Sequence, residues 1–127
     1  MFKVLIIEDE KNIRTIISKY LKRFDIACIE AENGVQGLAT YIREKDNVDL
    51  VLMDVMMPEM DGLEAAKAIR ALDRPDAKAI PIIAMTANVF KEDREKCLAA
   101  GMNAHLSKPL DAETMKRTIS EQLQKRK

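Results

Sequence analysis

Three short and almost wholly apolar runs, Val4–Ile7, Leu50–Met53 and Ile80–Met85, lie between segments whose apolar residues recur at helical spacing. Runs of this length with so little polarity read as strands buried on both faces, and a sheet with helices on both sides provides that burial. Each run also ends in a chemically able group: Glu8-Asp9-Glu10 after the first, Asp54 after the second, Thr86 after the third. In open α/β sheets the carboxyl ends of the strands border a crevice in which ligands and chemistry collect. Asp54, followed by Val55 to Gly62 with its Pro58 and Gly62 turn signals, is therefore the residue around which the remaining sequence is read.

Taken in order, Val4–Ile7 is the first strand. Ile13, Ile16, Ile17, Tyr20, Leu21 and Phe24 then give an amphipathic helix. Ile26–Ala31, carrying Cys28 and Glu30, is a weaker strand suited to a sheet edge. Asn33-Gly34 is a turn or cap before a helix with the stripe Val35, Leu38, Ala39 and Ile42. Beyond the Asp54 strand, Asp61 and Glu64 form a capping box that starts a helix with Ala65, Ala68, Ile69 and Leu72 inward. Arg74-Pro75-Asp76 breaks that helix. The strand Ile80–Met85 tolerates Pro81 at its start, where a ladder N–H can be spared. Val89–Ala100 is a charged helix with a thin apolar face of Phe90, Cys97 and Leu98, stopped by Gly101. Ala104–Ser107 is a fifth, edge-like strand, followed by Lys108-Pro109. Asp111 caps a last helix with Ala112, Met115, Ile119 and Leu123 inward.

Five strands alternating with five helices predict a (βα)5 doubly wound parallel sheet with right-handed crossovers. The strongly apolar strands are the first, third and fourth, so the order is 2-1-3-4-5 with the weak strands at the edges.

The 127 residues fit one domain, 1–127, with no repeat or linker. Lys plus Arg equals Asp plus Glu at 21 each, so nothing suggests bulk attraction to nucleic acid or anionic membrane. The basic end, Lys125-Arg126-Lys127, reads as a solvated tail. No apolar run approaches the roughly 20 residues that span a bilayer, and the amino end leads straight into a strand. Cys28 and Cys97 sit apart in apolar settings and read as buried free thiols, which suits a cytoplasmic protein.

In the order 2-1-3-4-5 the ends of strands 1, 3 and 4 are neighbours. Glu8, Asp9, Asp54 and Thr86 therefore converge, with Lys108 arriving from strand 5. Carboxylates crowded in one crevice resist joint ionisation unless a cation relieves them. Hard oxygen ligands, few and incompletely caging, suit Mg²⁺ with waters and a phosphate completing its shell. Asp54 is then a carboxylate nucleophile toward a phosphoryl group whose charge Mg²⁺ and Lys108 neutralise. Each assignment has a plainer rival: Glu8-Asp9 as a solvated strand end, Asp54 as a strand stop, Thr86 as a β-former, Lys108 as an edge charge. The plainer readings require four independent strand ends to coincide by chance.

Residues 3 to 124 resemble a response-regulator receiver domain. The resemblance rests on Val4-Leu5-Ile6-Ile7-Glu8-Asp9-Glu10, Leu52-Met53-Asp54-Val55-Met56-Met57-Pro58-Glu59-Met60-Asp61-Gly62, Ile82-Ile83-Ala84-Met85-Thr86-Ala87 and Leu106-Ser107-Lys108-Pro109. It implies that Asp54 is phosphorylated by a histidine kinase or a histidine phosphotransfer protein. It also implies that Glu8, Asp9, Asp54 and the Met56 backbone carbonyl hold Mg²⁺, directly or through water, and that Thr86 and Lys108 bind the phosphoryl group. The expected protein is a signalling switch without a multiple-turnover substrate. The helix from Val89, strand 5 and the last helix form its expected surface for a downstream protein. The segments 82–88 and 94–102 look most like receivers fused to hybrid sensor kinases.

Two departures from the family pattern stand out. The acid before Asp9 is often Asp, and here it is the longer Glu8. The aromatic switch position on strand 5 holds His105, read first as half-exposed surface and alternatively as a ring that moves inward with Thr86. Met56 and Asn88, which in the family flank the hydrolytic water, bring no carboxylate, so a long-lived acyl phosphate is expected. Other classes fit less well. A phosphohydrolase of the haloacid-dehalogenase type wants an acid where Met56 stands, and a flavodoxin-like module wants a less acidic first loop. A phosphorylation-independent pseudo-receiver has no need of the acids and the lysine together.

Overall fold

The computed structural model describes residues 2–44, 47–57, 60–87 and 91–125. Pro58 and Glu59 of the predicted turn, Asn88 with Val89 and Phe90 that open the fourth predicted helix, and Arg126-Lys127 of the basic tail lie outside them. The strands are β1 (Lys3–Ile7), β2 (Ala27–Ala31), β3 (Leu50–Asp54), β4 (Ile82–Thr86) and β5 (Ala104–Ser107). All pairings are parallel, and the order is β2-β1-β3-β4-β5. The predicted order follows from burial. Every residue of β3 and β4 is buried, whereas the edge strands β2 and β5 are mostly half-buried.

Alternation along each central strand feeds two cores. Leu5, Ile7, Val51, Met53, Ile82 and Ala84 point to one face and meet Tyr41, Ala65, Ile69 and Cys97. Val4, Ile6, Leu50, Leu52, Ile83 and Met85 point to the other and meet Ile17, Leu21, Met115 and Ile119. A fully buried Leu or Ile contributes on the order of 2 kcal/mol, so these strands are fixed in register by both faces at once.

The helices among the described residues are α1 (Lys11–Arg23), α2 (Gly34–Arg43), α3 (Gly62–Arg70), α4 (Pro75–Ala79), α5 (Lys91–Ala99) and α6 (Ala112–Lys125). The short α4 corrects the expectation of five helices. Pro75 breaks α3 and also opens a new turn, where its missing N–H costs nothing. The helix expected to begin at Val89 is α5, and the last helix is α6.

The inward face of α2 also differs from the predicted stripe. Gly34, Gly37, Thr40 and Tyr41 are buried, while Val35 and Ile42 are 51% and 46% exposed. At Gly37 a Cβ would run into the side chain of Ile7, so glycine lets the helix backbone lie on the sheet. On α1, Ile16 is exposed and Arg14 takes an inward position. On α5, Leu98 is exposed and Cys97 buried. Cys28 is half-buried, and both cysteines are free thiols. β4 begins at Ile82, though Ile80 and Pro81 are buried just before it.

The predicted caps are present. Asp61 and Glu64 close a reciprocal capping box, and Asp111 accepts the Thr114 N–H at 2.9 Å. Gly101, at φ 98°, ends α5 with the Met102 N–H donating to the Cys97 carbonyl.

Candidate functional site

The site is assembled by strand register. Ile7 pairs with Met53, Asp54 with Met85, and Thr86 with Ser107, so the residues that follow β1 and β5 come up beside Asp54 and Thr86. The Lys108 N–H donates to the Thr86 carbonyl at 2.9 Å, continuing the β4–β5 ladder and bringing the lysine to the same end. Beyond β3 the chain turns sharply, with the Gly62 N–H donating to the Val55 carbonyl at 3.0 Å. A side chain on Gly62 would collide with the Asp54 carbonyl and the Val55 Cα, so a glycine here brings α3 hard against the end of β3.

Glu8 is fully buried and Asp54 is 3% exposed, whereas Asp9 faces solvent. One carboxylate oxygen from each of Glu8, Asp9 and Asp54 lies within 4.8 Å of the others. Lys108 Nζ stands between two of them, 3.0 Å from Glu8 Oε1 and 3.2 Å from Asp54 Oδ2. The remaining oxygens are also held. The Met56 N–H donates to Asp54 Oδ1 at 3.2 Å, and the Glu10 N–H donates to Glu8 Oε2 at 3.1 Å. Among the described residues, no buried side-chain nitrogen or oxygen lacks a partner.

These surroundings shift the charges. Burial, and after it the neighbouring Asp9, pushes Glu8 up to about 7, with Lys108 and the Glu10 N–H pulling the other way. Burial also raises Asp54, against the hydrogen bonds from Glu8, Lys108 and the Met56 N–H. For Lys108, burial alone would lower the ammonium, but Glu8 and Asp54 outweigh it and hold it above its ordinary value. One cation thus partly neutralises two buried acids, and the cluster as a whole remains short of positive charge.

Thr86 is buried at the end of β4, and His105 is half-buried on β5 opposite Ala84. Met56 directs a side chain 72% exposed into solvent. Sequence reasoning missed Arg14, whose Nη1 donates to the backbone carbonyls of Glu8 at 2.7 Å and Asp9 at 3.3 Å. The signal was available: Arg14 shares helical phase with Ile17 and Leu21, a charge on the buried stripe of α1. Also missed was the Tyr41–Asp76 hydrogen bond of 2.7 Å, with Arg74 paired to Asp76 and 5.0 Å from the Tyr41 ring centroid, which ties α2 to α4.

A doubly wound parallel sheet carrying an acid pocket and a lysine at its carboxyl edge defines a small class of signalling domains. The model of the response regulator receiver domain matches residues 4–120, and the chain belongs to that family. Its setting is two-component and phosphorelay signalling, and receiver domains act there as switches. The chain is 38% identical over 128 residues, 95% of its length, to hybrid signal transduction histidine kinase I of Dictyostelium discoideum, and covers 7% of that protein. It spans 6% of hybrid signal transduction histidine kinase B of the same organism and 15% of probable histidine kinase 1 of Oryza sativa.

Among solved structures, the receiver domain of the sensor histidine kinase PA1611 from Pseudomonas aeruginosa is 33% identical with a TM-score of 0.86, over 96% of this chain and 97% of that one. It carries a magnesium ion coordinated in its active-site cleft. A second match is to the co-crystal structure of the Saccharomyces cerevisiae phosphotransfer protein Ypd1 with the receiver domain of its response regulator Ssk1. It is 28% identical, with a TM-score of 0.82, over 94% of this chain and 87% of that one. Among the described residues no helix is long and apolar enough to cross a membrane.

Proposed function

We propose that residues 1–127 act as one receiver unit in which Asp54 accepts a phosphoryl group from the phosphohistidine of a histidine kinase or histidine phosphotransfer protein. The observation that carries this reading is the lysine held 3.2 Å from Asp54 beside three gathered carboxylates. An Asp54 oxygen attacks phosphorus, the P–N bond to the imidazole breaks, and the departing ring nitrogen keeps the electron pair and is protonated from solvent. Lys108 moves its hydrogen bonds from the carboxylates to an equatorial phosphoryl oxygen, where negative charge collects as the group transfers. The Thr86 hydroxyl takes another of those oxygens. Its position at the end of the neighbouring strand supports that role.

The donor set fits Mg²⁺: hard carboxylate oxygens from Glu8, Asp9 and Asp54 lie close together, open on the Asp9 side, in a pocket with excess negative charge. These residues and the Met56 carbonyl would hold it, Glu8 directly or through water. When bound, it supplies charge neutralisation to the entering phosphoryl group.

The test is intact-mass measurement after incubation with acetyl phosphate and Mg²⁺. The wild type is expected to gain one phosphoryl group only when Mg²⁺ is present, and Asp54→Ala to gain none. A gain that survives Asp54→Ala, or no gain at all in the wild type, overturns the assignment.

A further inference from the structure

We infer that Arg14 is a positioning residue that sets divalent-cation affinity from behind the acidic pocket, through the backbone rather than by touching the ion. The inference rests on the receiver reading of Glu8, Asp9 and Asp54 given above. Asp9 is exposed, so side-chain packing does not fix its direction; its backbone must. That backbone is the short turn between β1 and α1, beyond the last β1 pairing with β3 at Ile7. On its amino side the Glu8 N–H still donates to the Ala31 carbonyl of β2 at 3.1 Å. The next two carbonyls, of Glu8 and Asp9, both accept from Arg14 Nη1, which thereby fixes the peptide planes on either side of the Asp9 Cα.

The guanidinium is itself anchored. Arg14 is 8% exposed, its Nε donates to Glu30 Oε1 at 3.2 Å, and Glu30 Oε2 accepts from Ser18 at 3.3 Å. A rigid planar fork spanning a carboxylate and two carbonyls is a geometry that arginine satisfies and lysine does not. Neutralisation by Glu30 also keeps this cation from repelling a divalent ion nearby. Groups behind a metal's ligands that hold those ligands in place typically affect affinity by 10- to 100-fold. Because Arg14 acts on only part of the ligand set, roughly tenfold is expected.

The experiment is calorimetric titration of the intact chain with MgCl₂ alone, for the wild type, Arg14→Ala, Arg14→Lys, Glu30→Gln and a core control, Ile119→Val. Phosphorylation by acetyl phosphate is followed in parallel as a function of Mg²⁺. Arg14→Ala is expected to weaken Mg²⁺ binding about tenfold. It should shift half-saturation of phosphorylation by the same factor and still reach the wild-type extent at saturating Mg²⁺. Arg14→Lys is expected to recover only part of the loss. Ile119→Val, in the core that α1 and α6 share but beside Phe2 and Ile26 at the opposite end of the strands, is expected to lower stability and leave affinity unchanged. If Arg14→Ala does not fold, Glu30→Gln decides, since its side chain is 45% exposed and its replacement opens no cavity; a severalfold loss of affinity supports the inference. Wild-type affinity in a folded Arg14→Ala, or in Glu30→Gln when that variant decides, overturns it while leaving the receiver reading intact. Failure of the wild type to bind Mg²⁺ or to be phosphorylated overturns both.

Discussion

Glu8 is a site residue whose chemistry the fold alters strongly. Its carboxyl is raised to about 7 by burial first and then by Asp9, so the folded protein holds a proton that the unfolded chain releases near the ordinary Glu value of about 4.3. Between those two values the folded state binds more protons, and stability must fall as pH rises through that window before levelling off. In Mg²⁺-free buffer the thermal midpoint of the wild type is expected to decline from about pH 4.3 to about 7. Glu8→Gln is expected to flatten that limb, and a midpoint that rises across it in the wild type contradicts the assignment. Lys108 is the complementary case. Removing it leaves two buried acids without their shared cation and, on the proposed reading, the transferring group without its donor. Lys108→Ala is therefore expected to slow phosphorylation at saturating Mg²⁺ by about 10² or more, the scale seen when one donor to a developing anion is deleted. A loss below tenfold in single-turnover mass measurements would show that the lysine is only structural.

At the scale of elements, apolar runs and caps were legible because they are local, and close approach was not. β1, β3 and β4 were visible as strands since nothing polar interrupts them, and the Asp61 and Asp111 caps followed from spacing alone. The acids, Asp54 and Lys108 could be brought together from the order of strands without any knowledge of contacts. The face of α2 was misread because apolar periodicity assumes that the buried face is the greasy one. Here it carries glycines, and the apolar Val35 and Ile42 are left outside. The short α4 was hidden because Pro75 signals a stop and a start equally well. Arg14 escaped because a charge on a buried stripe counts as noise until its backbone partners are known. If the glycines set how near α2 lies to β1, Gly37→Ala must push the helix away from Ile7. A destabilisation of roughly 1–3 kcal/mol in urea unfolding is expected, whereas a stabilised variant would mean helix propensity outweighs contact.

For the whole molecule, the helices are unequally held against the sheet. α1, α3 and α6 each bury several side chains against the sheet, but of residues 94–99 in α5 only Cys97 is buried, and Leu98 is 62% exposed. α5 follows β4, whose last residue is Thr86, and β5 beside it carries the half-buried His105. The phosphoryl group proposed for Asp54 would add charge and acceptor oxygens at one point, and its effect would have to travel through an element that is cheap to move. If Thr86 is drawn toward those oxygens, as proposed, β5 beside it, with His105 at the position where the family pattern has an aromatic ring, is the strand expected to respond. Hydrogen exchange with and without acetyl phosphate and Mg²⁺ is therefore expected to change in α5, β5 and the start of α6, while α1 and α2 keep their protection. His105→Ala is expected to leave Asp54 phosphorylation intact and shrink that exchange response. An unchanged response in the variant would remove the histidine from the switch. No response in the wild type would mean that the face presented to a downstream protein lies elsewhere on the domain.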